Sequence, residues 1–88
     1  MPATVTLSST TLAEGVDASA TRIKLTSTTG LVYGVRLYID GELMAVQRLD
    51  VNPWVVVTRG VDLTYASPHS KDVVVYIGRA DQFYTGPP

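Results

Sequence analysis

Apolar and polar residues alternate at several places along the chain. The clearest case is the segment 22–26, where Lys24 separates Ile23 from Leu25. Because successive side chains of a strand point to opposite faces, this pattern predicts a strand with one buried face and one wet face. Residues 4–29 are rich in Ser and Thr but also carry spaced apolar residues. This mixture favours strands with one polar face over a flexible linker.

A hairpin is predicted in the middle of the chain. Residues 35–39 again have apolar side chains at alternate positions, and Asp40-Gly41 follows directly. Asp-Gly between two β-rich segments favours a type I′ turn, which needs a positive φ at both central residues. Residues 35–39 are therefore predicted to pair with residues 42–49.

Two further strands extend the predicted sheet. Residues 50–53 form a second turn, after which residues 54–59 return antiparallel and complete a three-stranded meander. Within the second strand, Gln47-Arg48 breaks the alternation and predicts a β-bulge. The continuous apolar segment 73–77 is typical of a strand that is covered on both faces.

The predicted fold class is all-β. Helical spacing is never sustained for more than a turn, although residues 12–16 or 65–67 could form one short turn. Five or six short strands predict a small antiparallel β-barrel or sandwich over residues 10–79. Extended arms are predicted on either side, at residues 1–9 and at the proline-terminated residues 80–88.

The size of the chain limits its stability. It has 88 residues and no cysteine. A domain of that size buries only roughly 60 to 65 per cent of the surface exposed by the unfolded chain. Neither a disulfide nor a thiolate zinc site can supplement the core. A partner surface is the remaining common supplement, so we expect the chain to form a homo-oligomer or to dock on another protein.

The charge distribution narrows the class of partner. The formal net charge is −1, and the basic residues are scattered along the chain. Binding to nucleic acid normally needs a basic stripe, so no nucleic-acid partner is expected. The first ten residues lack the features of a signal peptide, and no apolar segment approaches the ~20 residues that span a bilayer. We expect a soluble chain, made in the cytoplasm, with no membrane partner.

Most of the reactive side chains lie in one segment, VTRGVDLTYASPH at residues 57–69. His69 could act as a general base and Arg59 as an oxyanion or phosphate clamp. No activated nucleophile, Gly-rich phosphate loop or set of metal ligands with zinc or EF-hand spacing accompanies them. The sequence therefore predicts no catalytic residue, no bound cofactor and no metal site, and we expect that the protein is not an enzyme.

A structural role for this loop has a concrete mechanism. Gly60 can adopt the left-handed or bulge conformation that lets the chain leave the strand ending at Arg59. Asp62 and Thr64 can bond to nearby backbone N–H groups. His69 would brace the point where the chain crosses back to the sheet. These five residues are the predicted structural loop.

The aromatic residues are candidates for an interface. Trp54 is predicted to lie in the core or at an interface, and Phe83 and Tyr84 lie in the polar C-terminal arm, where they are predicted to dock on a partner. An alternative is that Trp54, Tyr38 or Tyr65 stacks on a sugar. The two interpretations differ in whether the ring faces protein or glycan.

Three motifs follow one another along the chain: I-D-x-E-x-M at 39–44, V-T-R-G at 57–60 and D-x-T-x-A-x-x-H at 62–69. In this order, and after a Thr/Ala-rich strand pair, they resemble a recurring small module of tailed-bacteriophage virion proteins. The resemblance spans about residues 10 to 78. The matching residues are Ile39, Asp40, Glu42, Met44, Val57, Thr58, Arg59, Gly60, Asp62, Thr64, Ala66 and His69.

The resemblance implies a non-enzymatic structural protein of a phage particle. The expected role is a capsid decoration (cement) protein, made in the host cytoplasm and located on the outer capsid surface, which it stabilises. Its implied partners are the major capsid protein and further copies of itself, as a homotrimer, with no small-molecule substrate. The two arms would reach across neighbouring capsid subunits and could add a strand to an exposed sheet edge.

Two other functions stay open at this point. The chain could be a component of the phage tail or connector, which is also structural but differently placed. It could instead be a carbohydrate-binding adsorption module of the tail, which would use the aromatic residues to stack on sugars.

Overall fold

The computed structural model describes residues 8–79 of the chain. Its six strands are β1 (Ser8–Thr11), β2 (Arg22–Lys24), β3 (Arg36–Ile39), β4 (Glu42–Leu49), β5 (Trp54–Val61) and β6 (Val74–Gly78). Within this described range there is no helix, and residues 12–16 and 65–67 are irregular apart from isolated bridge residues and bends. The prediction of a small all-β fold is confirmed.

All six strands belong to one antiparallel sheet, in the order β1-β6-β3-β4-β5-β2. The β3, β4 and β5 strands are neighbours, as the predicted meander requires. In the tight turn between β3 and β4, Asp40 has a φ of 46° and Gly41 a φ of 84°. Both values are positive, which is the reason that Asp-Gly favours this turn.

Two bulges bend the long β4–β5 pair. Between Val46 and Arg48, one extra residue lies on β4, at the position where the broken alternation predicts a bulge. Between Leu43 and Ala45 the register shifts the other way, and the extra residue lies on β5. Gly60 is in this second bulge with a φ of 57°. Bulges increase the local twist, so they help the sheet to curl.

The curled sheet forms a half-barrel whose two edges meet at one point. Leu12, just after β1, pairs with Leu25, just after β2, as an isolated antiparallel bridge. Beside it, the backbone N–H of Thr26 donates to the carbonyl of Thr11 at 2.9 Å. The first and last strands of the sheet order are therefore hydrogen-bonded to each other through the residues that follow them.

The apolar core fills the inside of this half-barrel. Strands β2 to β6 contribute side chains to it. Three residues outside the strands, Leu12, Leu25 and Leu31, complete it. Ile23 and Leu25, predicted to share a buried face, are both fully buried. The core consists of Leu12, Ile23, Leu25, Leu31, Leu37, Ile39, Met44, Val46, Val55, Val57, Val75 and Ile77.

The prediction that the segment 73–77 is covered on both faces is wrong. Val75 and Ile77 point into the core, but Val74 and Tyr76 are each 43% exposed. The reason is topological. A single curled sheet has one convex face, and where no loop crosses that face its side chains contact solvent. A continuous apolar segment does not show which face is left open.

The borders of the predicted arms differ in part from the observed strands. Ser8 and Ser9, predicted in the N-terminal arm, lie in β1 and pair with β6. The remainder of both predicted arms, residues 1–7 and 80–88, lies outside the described residues.

Candidate functional site

Two opposite charges occupy inward-facing positions of neighbouring strands. Glu42 shares its face of β4 with Met44 and Val46, and Arg59 shares its face of β5 with Val57. Since these apolar neighbours are buried, both charged side chains enter the interior. Glu42 is fully buried, and the Arg59 side chain is only 6% exposed.

The two side chains form a bidentate ion pair. Nε of Arg59 lies 2.8 Å from Oε2 of Glu42, and Nη2 of Arg59 lies 3.1 Å from Oε1. This parallel arrangement of two charge-assisted hydrogen bonds fixes the orientation of both groups.

Three further donors complete the surroundings of the carboxylate. The backbone N–H of Gly60 donates to Oε2 at 2.9 Å, and the backbone N–H of Ser67 donates to Oε1 at 3.0 Å. Nε2 of His69 lies 2.7 Å from the same Oε1. Because an ionised carboxylate only accepts hydrogen bonds, we assign a proton to this imidazole nitrogen. We call Glu42, Arg59, Gly60, Ser67 and His69 the Glu42 network.

The network keeps Glu42 ionised. Burial by itself raises the pKa of this carboxyl, but the hydrogen bonds from Arg59 and His69, with those from the Ser67 and Gly60 N–H groups, outweigh it. Together they lower the pKa of Glu42 from its usual 4.5 to about 2. The carboxylate is therefore charged and fully paired at neutral pH.

Arg59 also joins two loops to the β4–β5 pair. Its Nη1 donates to the carbonyls of Asp17 and Ala20 at 2.7 and 2.6 Å, and its Nη2 donates to the carbonyl of Ser67 at 2.7 Å. One guanidinium thus fixes the loop between β1 and β2 and the loop between β5 and β6. Its planar set of donors makes this possible, and a lysine could not replace it.

His69 is held by its backbone as well as by its ring. Its N–H donates to the carbonyl of Val16, and its carbonyl accepts from the N–H of Val16, both at 2.9 Å. The ring is fully buried, and its Nδ1 has no hydrogen-bond partner in the described part of the chain. The carboxylate of Asp40 lies 3.5 Å from that nitrogen.

Asp62 and Thr64 lie beside the network and outside it. Oδ2 of Asp62 accepts from Nε of Arg36 at 2.8 Å. The Thr64 hydroxyl donates to the carbonyl of Val61 at 2.7 Å and accepts from the N–H of Leu43 at 3.0 Å. These contacts tie the loop after β5 to the start of β4 and to β3.

Of the five predicted loop residues, Arg59, Gly60 and His69 meet at a common centre. That centre, Glu42, is the residue that the sequence reasoning missed as a site residue. The sequence did contain a signal for it. Glu42 lies two residues before the buried Met44 in β4, so both side chains point to the same face. A carboxylate at an inward position needs a cationic or hydrogen-bonding partner.

Trp54 is the first residue of β5. It is half-buried and pairs with Lys24 of β2. The guanidinium of Arg22 lies 4.1 Å from the centroid of its ring, and the ammonium of Lys24 lies 5.9 Å away. One ring face is therefore in contact with a cation of this same chain.

The other aromatic candidates differ in their surroundings. Tyr38 is about one-third exposed on the convex face of the sheet, whereas Tyr65 is 87% exposed in the loop after β5. Phe83 and Tyr84 lie outside the described residues.

Residues 8–79 contain no pocket and no cluster of residues arranged to bind a metal. The described range also has no helix that is long and apolar enough to cross a membrane. No known protein family, curated protein or solved structure matches the chain.

Proposed function

We propose that this chain is a non-enzymatic structural protein of a tailed-bacteriophage virion. Its proposed role is capsid decoration: homotrimers bind the outer surface of the head, contact the major capsid protein and stabilise the shell. The observation that carries the proposal is that the three motifs behind the phage resemblance supply a single buried network.

Each motif contributes to that network from a different part of the chain. The first supplies Glu42, the second supplies Arg59 and Gly60, and the third supplies His69. If the three motifs matched by chance, there would be no reason for their polar residues to meet in the folded chain. Their convergence provides a physical reason for these residue types to occur together in a small module, and this supports the resemblance.

The chemistry of the network favours a structural role over catalysis. Glu42 has a pKa of about 2, so it is a poor general base at neutral pH. Both of its oxygens already accept hydrogen bonds from Arg59, His69 and the backbone. The residues that resemble catalytic groups are thus occupied in joining two loops to the sheet.

The exposed apolar residues support a protein that works in contact with other proteins. Several large apolar side chains in the described loops are largely exposed, among them Tyr33, Val51, Leu63 and Tyr65. A domain of this size has a small core and gains stability from a partner surface. A decoration protein bound to a shell has such a partner.

Immunolabelling of purified virions tests the proposal. An antibody to the protein is applied to the particles, which are then viewed by electron microscopy. Label distributed evenly over the head is the expected result. Label confined to the neck or tail would favour the connector or adsorption function, and virions without label would overturn the virion assignment.

The arms are tested separately. Deletion of residues 80–88 is expected to weaken capsid binding and to leave the circular dichroism of the β-fold unchanged. The N-terminal deletion is best limited to residues 1–7, because Ser8 and Ser9 pair with β6. Unchanged binding by both truncated proteins would show that the arms do not hold the capsid.

The carbohydrate-binding alternative rests on one observation, the exposed ring of Tyr65. Glycan-array binding that is lost in Tyr65→Ala or Trp54→Ala, without unfolding, would favour it. Trp54 is the weaker candidate, since Arg22 already stacks on its ring.

A further inference from the structure

The half-barrel has two ends of different character. At one end lie residues 26–35, in the loop between β2 and β3, and residues 49–53, which comprise the last residue of β4 and the turn to β5. These two segments are joined where the Thr28 hydroxyl donates to the side-chain oxygen of Asn52 at 3.1 Å. We call them the apolar end. The tight β3–β4 turn and the loop after β5 lie at the opposite end.

The two segments of the apolar end are poor in charged residues. Residues 26–35 contain no charged side chain, and residues 49–53 contain one, Asp50. Asp50 is paired with Nε of Arg22 at 2.6 Å. Four large apolar residues at this end are between 48% and 76% exposed: Val32, Tyr33, Leu49 and Val51. The opposite end carries Asp40, Asp62, Lys71 and Asp72.

Both terminal segments join the fold at the apolar end. Gly78, the last residue of β6, pairs with Arg36, the first residue of β3 after the loop 26–35. Ser8 pairs with Ile77, so β1 enters at the same level. The first residue of β1 and the last residue of β6 therefore lie at the end of the sheet that carries the exposed apolar side chains.

We propose that the apolar end is the surface by which the protein docks on the outer face of the capsid shell. This inference rests on the proposed function and adds the orientation of the module to it. A group of exposed apolar side chains in segments that are poor in charged residues fits a protein surface that is itself apolar and hydrogen-bonding. Ser8 and Gly78, the outer residues of β1 and β6, lie at this same end. The charged end faces the solution.

The test compares two matched double variants of the full chain. Tyr33→Lys with Val51→Lys places two charges on the apolar end. Leu63→Lys with Tyr65→Lys makes the same change in exposed residues at the opposite end. All four side chains are largely exposed, so both proteins are expected to keep the circular dichroism spectrum of the parent chain.

Binding is measured by co-sedimentation with heads of the phage that encodes the protein, assembled without it. We expect the apolar-end variant to bind at least roughly 100-fold more weakly, since it places two charges in the interface core. The opposite-end variant is expected to stay within about threefold of the parent chain, as for residues outside an interface.

The outcomes separate this inference from the proposed function. If the parent chain binds heads and the apolar-end variant binds equally well, the docking surface is wrong and capsid binding stands. If the parent chain does not bind heads, the proposed function fails and the docking surface with it. Sedimentation velocity of the free proteins covers the remaining case. A lower mass for the apolar-end variant alone would make this end a contact between copies, which also overturns the proposal.

Discussion

Two arginine–carboxylate pairs in this protein have similar lengths and different surroundings. Arg59 and Glu42 lie 2.8 Å apart with side chains that are 6% and 1% exposed. Arg22 and Asp50 lie 2.6 Å apart with side chains that are 48% and 29% exposed. By distance alone, the exposed pair would be expected to contribute more to stability than the buried pair. Water screens that pair, whereas the buried pair has only its protein partners.

The contribution of an ion pair to stability depends on the surroundings of the partner that remains when the other is removed. Without Arg22, Asp50 is hydrated. Without Arg59, the carboxylate of Glu42 stays in the interior, and the carbonyls of two loops lose their donor. The pairs therefore predict mutational effects that differ in size, and these effects can be measured.

The largest effect is expected for Arg59→Met. It leaves a buried charge without its cation, which typically costs roughly 3 to 5 kcal/mol. The matched variant Arg22→Met is expected to cost about 0 to 1 kcal/mol. Urea denaturation of both variants measures the free energy of unfolding. Equal losses would show that burial does not distinguish the two pairs.

Acid should weaken the fold through Glu42, and this effect is next in size. Its folded pKa of about 2 lies below the usual 4.5, so its contribution is complete above pH 4.5. That contribution is lost as the pH falls from about 4.5 through about 2. Denaturation midpoints across this range measure the slope.

Two variants test whether this change of stability with pH comes from Glu42. Glu42→Gln is expected to be less stable at pH 7 and to depend less on pH between 5 and 2. Asp50→Asn is the control. The hydrogen bond from Arg22 lowers the pKa of Asp50, but its exposed carboxyl contributes little. A Glu42→Gln protein that keeps the full acid slope would contradict the assignment.

Gly60→Ala is expected to cost roughly 2 to 3 kcal/mol, because the new Cβ adds steric conflict and makes the left-handed backbone conformation unfavourable. Gly60 has a φ of +57°, and a Cβ there would lie 2.9 Å from the backbone nitrogen of Ala66. Gly34→Ala is the control. Its φ is +88°, but its surroundings are open, so only the backbone cost of about 1 kcal/mol applies. Thermal melts that show no difference between the two variants would show that the contact of the new Cβ with Ala66 has no cost.

The last prediction concerns Arg36. It tests whether the cost of removing the arginine of an ion pair rises steadily with the burial of the pair. The Arg36–Asp62 pair is 21% and 18% exposed, between the two extremes. Arg36 also donates to the carbonyl of Gly34 at 2.8 Å. Arg36→Met is expected to cost roughly 1 to 2 kcal/mol, more than Arg22→Met and less than Arg59→Met. The same urea series decides the ranking.

Local sequence signals predicted the elements of the fold. Asp40-Gly41 determines the β3–β4 turn because the positive φ values of both residues suit a type I′ turn. The broken alternation at Gln47-Arg48 indicated the bulge on β4. These features depend on residues close together in the chain, and the chain contains that information directly.

Features that depend on distant residues could not be predicted in the same way. The position of β6 between β1 and β3 depends on pairing across most of the chain. The open face of β6 follows from that pairing. Glu42 was missed for the same reason, since its donors come from residues 59–69, and alternation alone shows its direction without its partners.

The antiparallel pairing of β1 with β6 has a mechanical consequence. Ser8 and Gly78 lie at the same end of two adjacent strands. A force that pulls these two residues apart acts across the ladder, so the backbone bonds of β1 and β6 open one after another, like a zipper, and do not share the load. The first resistance from the packed interior comes at Leu12, which is bridged to Leu25. Tension along the two terminal segments is therefore first relieved by peeling β1, while the Glu42 network at the far end stays unloaded.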